Sequence, residues 1–143
     1  MQRDRYRVWV DQAGIIHTAF HHVVSEEALV ESFKQRQIIT TIPTPVMVHA
    51  DHIIDADQRG MELACGDAMT QSTTAMAIIA KGHMARFYAR VFLRYHKPAY
   101  PVRIFACEYT AHEWLRQYQN QDMVREICHP GWFNQYPNAE QVH

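Results

Sequence analysis

The sequence is poor in cysteine and glycine, and it has no long apolar run. Its three cysteines are odd in number and widely spaced, which favours reduced thiols over a disulfide framework or a zinc knuckle. The five glycines are scattered, so neither a phosphate-binding Walker loop nor a dinucleotide fingerprint is present. No segment approaches about 18 consecutive apolar residues, and the N-terminus has no apolar stretch of signal-peptide length. We therefore expect a cytoplasmic protein without a membrane span.

A surplus of charge of either sign is also absent. The chain has 14 Lys and Arg residues against 15 Asp and Glu residues, a formal net charge of -1 with neutral histidines. Because binding to a phosphate backbone requires a surplus of basic residues, this balance argues against a nucleic-acid partner. Hydrophobic residues make up 48% of the 143 positions, which is typical of one globular domain with a single core.

Strand-like and helix-like patterns alternate along the chain. Short apolar or alternating runs bounded by turn residues predict strands at residues 5–10, 15–20, 46–49, 74–80 and 102–106. Helical spacing of apolar residues predicts helices at residues 25–37, 56–69, 83–96 and 110–118. This order predicts an α/β fold with a mostly parallel five-stranded sheet, an antiparallel N-terminal hairpin and about four helices.

The clearest amphipathic pattern lies in the helix predicted at residues 83–96. Its apolar positions recur at helical spacing and predict a face packed against the sheet: Met84, Phe87, Tyr88, Val91, Phe92 and Tyr95. A basic stripe is expected on the opposite face, formed by Arg86, Arg90, Arg94 and Lys97. This stripe is either a solvated face or a docking face for an acidic protein partner or a second copy of the chain.

Four local sequences make the chain resemble the SpoIIAA-like branch of the STAS superfamily between Tyr6 and Tyr118. They are the opening hairpin, PVMVHAD before a helix, AMAIIAKGHMARFYARVFLRYHKPAYPVRIF, and the closing AHEWL. The third is the most specific, and its features recur together in small bacterial members of uncharacterised function. The resemblance implies a STAS/SpoIIAA-like domain over residues 1–119 that acts as a non-enzymatic interaction or regulatory module and forms a homodimer.

One position departs from the pattern of the anti-sigma factor antagonists in that superfamily. Those proteins carry an Asp-Ser-Ser-Gly motif in which a serine is phosphorylated to switch partner binding. The matching residues here are Asp57, Gln58, Arg59 and Gly60, so both hydroxyl groups are missing. We therefore expect no phosphorylation switch in this loop, because no acceptor stands there.

The loop that contains these residues concentrates polar side chains directly after a buried strand. The candidate ligand- or partner-binding residues are His49, Asp51, His52, Asp55, Asp57, Gln58 and Arg59. Open α/β sheets often bind ligands at the carboxyl ends of their strands, which favours a site here. His49, Asp51 and His52 are also weak candidates for metal ligands, unless His17, His21 or His22 approaches them in space. In the simplest interpretation an aspartate caps the next helix and the histidines are partly exposed.

Three functions follow from these observations. The first is a non-catalytic interaction or regulatory module; the second is a domain that binds a small or lipid-like molecule between sheet and helices; the third is a metal-dependent hydrolase. We expect no cofactor and no catalytic residue, since no Gly-x-Ser-x-Gly elbow is present and His112 is more simply a helix residue than a base for Cys107. Residues 120–143, which include Trp132 and Phe133, are expected to pack on the domain or on a dimer partner.

Overall fold

The computed structural model of the protein describes residues 6–119. The strands in this range are β1 (Tyr6–Val10), β2 (Ile16–Phe20), β3 (His22–Val24), β4 (Thr44–His49), β5 (Ile53–Ala56), β6 (Thr73–Ile79) and β7 (Val102–Phe105). The helices are α1 (Glu26–Ile39), α2 (Gln58–Ala64), α3 (Asp67–Ser72), α4 (His83–Tyr95) and α5 (Glu108–Leu115), and one 3-10 turn (Arg116–Tyr118) follows α5. The predictions for residues 120–143 lie outside this range.

The main sheet has five strands in the order β1-β2-β4-β6-β7. The hairpin strands β1 and β2 are antiparallel, and every other neighbouring pair in this sheet is parallel. The predicted α/β class, the antiparallel hairpin and the mostly parallel sheet are therefore confirmed. This topology places the ends of β2, β4 and β6 side by side, although they are far apart in the sequence.

The structure differs from the predicted element order in two places. A second, two-stranded sheet pairs β3 with β5, where the sequence pattern indicated only loop. The single helix predicted at residues 56–69 is two short helices, because the chain leaves the helical conformation at Gly66, where φ is -77° and ψ is 173°. Glycine in a helix interior is about 1 kcal/mol less favourable than alanine, so the helix breaks at a residue with low helix propensity.

Both faces of the main sheet are covered, but by different helices. One face carries Ile16, Val46 and Ile78, which pack with residues of α1 and α4. The other face carries Met47 and Ile79, among others, which pack under α5. Side chains alternate between the two faces along each strand, so neighbouring residues of one strand belong to different cores.

The hairpin turn between β1 and β2 is held together by Asp11. Its Oδ1 atom accepts hydrogen bonds from the backbone N–H groups of Ala13 and Ile15, at 2.9 and 3.0 Å. Gly14 adopts a φ of 84°, a conformation that costs glycine little and other residues more. The turn leaves the second carboxylate oxygen of Asp11 free to face α5, where it becomes part of a buried polar cluster.

The apolar face of α4 is not packed against the sheet as the sequence predicted. Within residues 6–119, Ala89 is the buried residue of this helix, and Phe92 packs at the edge of the core. Phe87 and Tyr95 are 56% and 74% exposed, and Met84, Tyr88 and Val91 are also exposed. The stripe instead borders an open cavity, which Tyr88, Val91, Phe92 and Tyr95 line together with Ala85 and Ala89, whereas Met84 and Phe87 lie outside this lining.

Across residues 6–119, the helices are too short or too polar for any of them to cross a lipid bilayer.

Candidate functional site

A cavity of about 420 Å³ lies between α4 and the sheet. Its floor is formed by side chains of the central strands, including Thr18, Val46, Val48, Met76 and Ile78. Its walls come from α1, β5 and the short helices, including Leu29, Ser32, Phe33, Arg36, Ile53, Met61 and Met69. Ala85, Tyr88, Ala89 and Phe92 of α4 form its roof.

The cavity follows from the small residues on the inner side of α4. Ala85 and Ala89 leave space beneath the helix, whereas larger side chains at these positions would reach the floor of the cavity. The nearby end of α2 is held by Tyr100, whose hydroxyl group donates a 2.7 Å hydrogen bond to the carbonyl of Ala64. The fold thus encloses an apolar volume of the size at which small-molecule sites begin, about 300–1,000 Å³.

Arg36 is a buried cation in the wall of this cavity, and it is 3% exposed. Its Nη2 atom donates hydrogen bonds to the carbonyl of Ser72 and, at 2.9 Å, to the Oγ1 atom of Thr73. Its guanidinium carbon lies 5.5 Å from the centre of the Phe33 ring. Burial lowers the pKa of Arg36 to about 10, which still leaves the side chain charged at neutral pH.

A polar cluster lies on the other face of the sheet, beneath α5. We call it the histidine network; it consists of Asp11, His17, His49, Glu108 and His112. The Oδ2 atom of Asp11 accepts hydrogen bonds from the Nε2 atoms of His17, at 2.6 Å, and His112, at 2.9 Å. The other ring nitrogen of His17 lies 2.8 Å from Nε2 of His49, and the Nδ1 atom of His49 is 3.9 Å from Glu108.

The tautomers of the histidine network follow from these contacts. Because the Nε2–H group of His17 donates to Asp11, its Nδ1 atom accepts from the Nε2–H group of His49 when both rings are neutral. The ring of Trp9 stacks on the rings of His17 and His49, with centroids 5.0 and 5.3 Å apart. A single proton therefore lies between the two imidazoles, and a second one would disrupt their contact.

The protonation of the network is set by burial and by these hydrogen bonds. Burial opposes the charge on Asp11, but hydrogen bonds from His112 and His17 hold the pKa of its carboxyl group well below the usual range. The hydrogen bond to Asp11 raises the pKa of His112 above its ordinary value, against the effect of burial. Burial and the neighbouring His17 lower the pKa of His49 to about 4.

Two sets of atoms in the network lie close enough together to surround a cation. They belong to Asp11, His17 and His112, and to His17, His49 and Glu108, and within each set the atoms are within 4.8 Å of one another. However, two ligand atoms of a tetrahedral zinc ion, each bonded at 2.0–2.1 Å, are about 3.3 Å apart. Separations of 2.6 and 2.9 Å between Asp11 and its two histidines are those of hydrogen bonds.

The loop residues that the sequence analysis predicted as a site are dispersed by the fold. His49 joins the histidine network, whereas His52 stacks on His21 with ring centroids 5.3 Å apart. Asp51 caps the start of α4, since its Oδ1 atom accepts from the backbone N–H groups of Lys81 and Gly82. The structure therefore does not bring the weak metal candidates His49, Asp51 and His52 together as one set of ligands. His17 does approach His49.

The remaining loop residues hold local structure. Asp57 caps α2, because its Oδ1 atom accepts a 2.6 Å hydrogen bond from the N–H group of Gly60. Asp55 accepts a hydrogen bond from the next backbone N–H group. Gln58 contacts Glu62, and Arg59 lies 3.9 Å from Glu26 at the surface. The capping interpretation of this loop is thus confirmed for Asp57.

The basic stripe lies at the surface of α4. Arg90, Arg94 and Lys97 are exposed, and Arg86 donates to the carbonyl of Lys81 at 3.3 Å. Within residues 6–119, none of the four forms an ion pair. A docking role for this stripe stays a prediction.

Sequence reasoning missed Asp11 and Arg36 as candidate site residues, and it assigned His112 only to a helix. Asp11 lies in a hairpin turn, where its residue type is explained by the turn itself. Arg36 ends a helix, where a basic residue complements the helix dipole. The only available signal was an arginine on the same helical face as Leu29 and Ser32, which places a charge toward the core.

The comparisons with known proteins agree with this fold. A family model described as a domain of unknown function, DUF7793, matches residues 8–119. A solved structure with a similar chain path is an uncharacterised protein of the DUF3478 family with a SpoIIAA-like fold, from Shewanella loihica PV-4. The match has a TM-score of 0.57 at 13% sequence identity, and it covers 77% of this chain and 93% of that chain. No curated protein matches the sequence. The predicted SpoIIAA-like fold is confirmed.

Proposed function

The chain belongs to the DUF7793 family and has a SpoIIAA-like fold, and we propose that it is a non-catalytic STAS-type module that binds a small apolar molecule between α4 and the sheet. The observation that carries this proposal is the cavity of about 420 Å³. Its lining is predominantly aliphatic and aromatic, with a few polar groups, as in sites for small organic ligands. Filling such a cavity with an apolar ligand restores the dispersion contacts that its lining lacks.

The polar residues around the cavity support binding without chemistry. Ser32, which lines the cavity, donates its hydroxyl hydrogen to the carbonyl of Leu29, an arrangement that structures α1 rather than activates a nucleophile. On the other face, the Nε2 atom of His112 contacts Asp11, and the exposed thiol of Cys107 lies 3.3 Å from the hydroxyl of Thr110. A pairing of Cys107 with His112 as nucleophile and base is therefore not formed.

We expect the purified protein to bind the neutral fluorescent probe N-phenyl-1-naphthylamine with a stoichiometry of one. Replacing Ala85 with tryptophan places a large ring in the cavity and should weaken probe binding by about tenfold or more, because the ligand and the ring compete for one volume. Fluorescence titration measures both values, and circular dichroism verifies that the variant is folded.

The matched control for this substitution is Ala106→Trp, since Ala106 is exposed and lies outside the cavity lining. This variant should bind the probe as the natural sequence does. Failure of the natural protein to bind the probe, or equal binding by Ala85→Trp, would contradict the proposal.

Self-association is the second function that a specific observation favours. Met84 and Phe87 of α4 are 62% and 56% exposed and lie outside the cavity lining, so they present large apolar side chains on one helix. Contiguous exposed apolar surface of this kind is typical of protein interfaces, and aromatic residues are enriched in their centres. We therefore include a homodimer through α4 in the proposal, alongside the acidic-partner role of the basic stripe.

Replacing Phe87 with serine is expected to weaken a dimer through α4 by about tenfold or more, because an interface aromatic at a hot spot contributes at least 1–2 kcal/mol, and Phe87 lies outside the cavity lining. The control is Tyr109→Ser on α5, since Tyr109 is also an exposed aromatic residue but lies on another helix. Sedimentation equilibrium over a concentration series measures the dissociation constant. A monomer at every concentration, or the same loss in both variants, would refute the interface.

A further inference from the structure

The cavity between α4 and the sheet contains a buried charge, Arg36, that forms no ion pair with the residues that the structure describes. Arg36 lies in its wall and is 3% exposed, yet no carboxylate of residues 6–119 forms an ion pair with it. The salt bridges of this part of the chain lie elsewhere. Burying a charge without a counter-ion is unfavourable, and charged side chains are almost never fully buried unless they are paired.

The neutral partners of Arg36 satisfy only part of its hydrogen-bonding capacity. A guanidinium group has five N–H groups, and it cannot lose its proton under ordinary conditions. Nη2 donates to the carbonyl of Ser72 and to the hydroxyl of Thr73. Nη1 and Nε make no hydrogen bond with any residue in the range 6–119, which leaves three N–H groups for another acceptor. The two existing bonds hold the group in place, and the Phe33 ring covers one side of it.

The number of charges in the cavity restricts the ligand further. Among residues 6–119, its lining contains one Lys or Arg side chain, Arg36, and one acidic side chain, Asp55, which is exposed and accepts a hydrogen bond from the next backbone N–H group. A single fork of N–H groups matches a carboxylate, which accepts two parallel hydrogen bonds and carries one negative charge. A phosphate monoester carries up to two charges and is usually met by more than one cation. Most of the remaining lining is aliphatic or aromatic and matches a hydrocarbon.

From this combination we infer that the cavity binds a long-chain carboxylic acid, whose hydrocarbon chain fills the space beneath α4 and whose carboxylate pairs with Arg36. This inference rests on the proposed function and specifies its ligand class. Arg36 thereby fixes the direction in which the chain enters, since the anionic end lies at the end of α1. The ligand in turn supplies a counter-ion that residues 6–119 do not provide.

The test compares dodecanoate with 1-dodecanol as competitors of bound N-phenyl-1-naphthylamine. Both share one hydrocarbon chain and differ in the charged end. The natural protein is expected to bind dodecanoate about 10- to 100-fold more tightly than the alcohol, because hydrogen bonds to a charged group are among the strongest. Replacing Arg36 with methionine, which retains an unbranched stem without charge, should remove this preference.

Two further variants distinguish the effect of a positive charge at residue 36 from the effect of a positive charge elsewhere on the protein. Arg36→Lys keeps the positive charge but loses the planar, bidentate guanidinium group, so it should retain a reduced preference for dodecanoate. This variant tests the inference even if Arg36→Met does not fold. Arg90→Met removes an exposed arginine of α4 and should leave the preference unchanged.

Each outcome decides the inference. Equal binding of dodecanoate and the alcohol by the natural protein overturns it while leaving the apolar cavity intact as a binding site. An unchanged preference in Arg36→Met overturns it as well. Tighter binding of monododecyl phosphate than of dodecanoate overturns the carboxylate assignment in favour of a phosphate head group. Absence of probe binding, by contrast, is a failure of the proposed function itself.

Discussion

Replacing Asp11 with alanine is expected to lower the free energy of unfolding by about 3–5 kcal/mol, as for other buried charges that lose a partner. Asp11 accepts four hydrogen bonds: from the N–H groups of Ala13 and Ile15, and from the rings of His17 and His112. The alanine variant leaves the His17 ring buried without its acceptor and removes the hydrogen bonds that close the hairpin turn. Urea denaturation at pH 7 measures the loss.

Two variants verify the cause of this loss. Asp11→Asn keeps an oxygen for the hairpin turn but presents an amide to the histidines, so it should lose less than the alanine variant. Asp67→Ala removes an exposed aspartate from the first turn of α3 and should change stability by about 0.5 kcal/mol or less. A loss below about 1 kcal/mol for Asp11→Ala would show that the network contributes little to stability.

Lowering the pH from 7 to 4.5 is expected to remove about 2–3 kcal/mol of stability through His49 alone. The pKa of this ring is about 4 in the folded protein and near 6.5 when unfolded, so the unfolded state takes up the proton first. Its contribution is therefore complete above pH 6.5 and declines as the pH falls toward 4. The physical cause is burial of the ring, followed by the neighbouring His17.

Other groups near His49 also affect this pH dependence. Lys81 disfavours a proton on His49, whereas Glu108 and Asp51 favour it. The raised pKa of His112 acts in the opposite direction, because its contribution is complete below pH 6.5 and is lost as the pH rises. The net change for the natural protein is thus smaller than the contribution of His49.

A glutamine variant isolates the contribution of His49. His49→Gln keeps a side-chain N–H donor for His17 and has no titrating group, while His112 and the other groups are unchanged. Between pH 7 and 4.5 the variant should lose about 2 kcal/mol less stability than the natural protein in urea denaturation. Parallel pH profiles for the two proteins would show that His49 is not buried as the structure describes.

Local sequence patterns predicted the five strands of the main sheet and the longer helices to within a few residues. The hairpin linker that ends in Gly14 and the alternation of apolar runs depend on interactions between near neighbours in the chain, which is why they are visible in the sequence. The split of residues 56–69 into two helices was missed, although Gly66 marks its position. The pairing of β3 with β5 joins separate segments, so the local pattern contains no signal for it.

The candidate sites were harder to predict because they depend on which surfaces meet. The amphipathic pattern of α4 correctly indicates a helix, yet it does not determine how closely the helix packs on the sheet. The structure leaves a cavity beneath α4, lined by Ala85, Ala89 and Tyr95 among others, and leaves Phe87 exposed outside this lining. Periodicity specifies a face, and only its neighbours determine what that face contacts.

The sequence by itself determined the fold class, the order of the main strands along the chain, and the absence of hydroxyl groups in the loop at Asp57. These properties follow from residue type and spacing alone. Only the tertiary structure decided that Asp11, His17, His49 and His112 meet beneath α5, and that Arg36 lies in the wall of a mostly apolar cavity without an ion pair to any residue between 6 and 119. The physical reason is that parallel crossovers bring distant segments side by side, so burial and charge pairing are properties of the packed sheet and helices and not of any single segment.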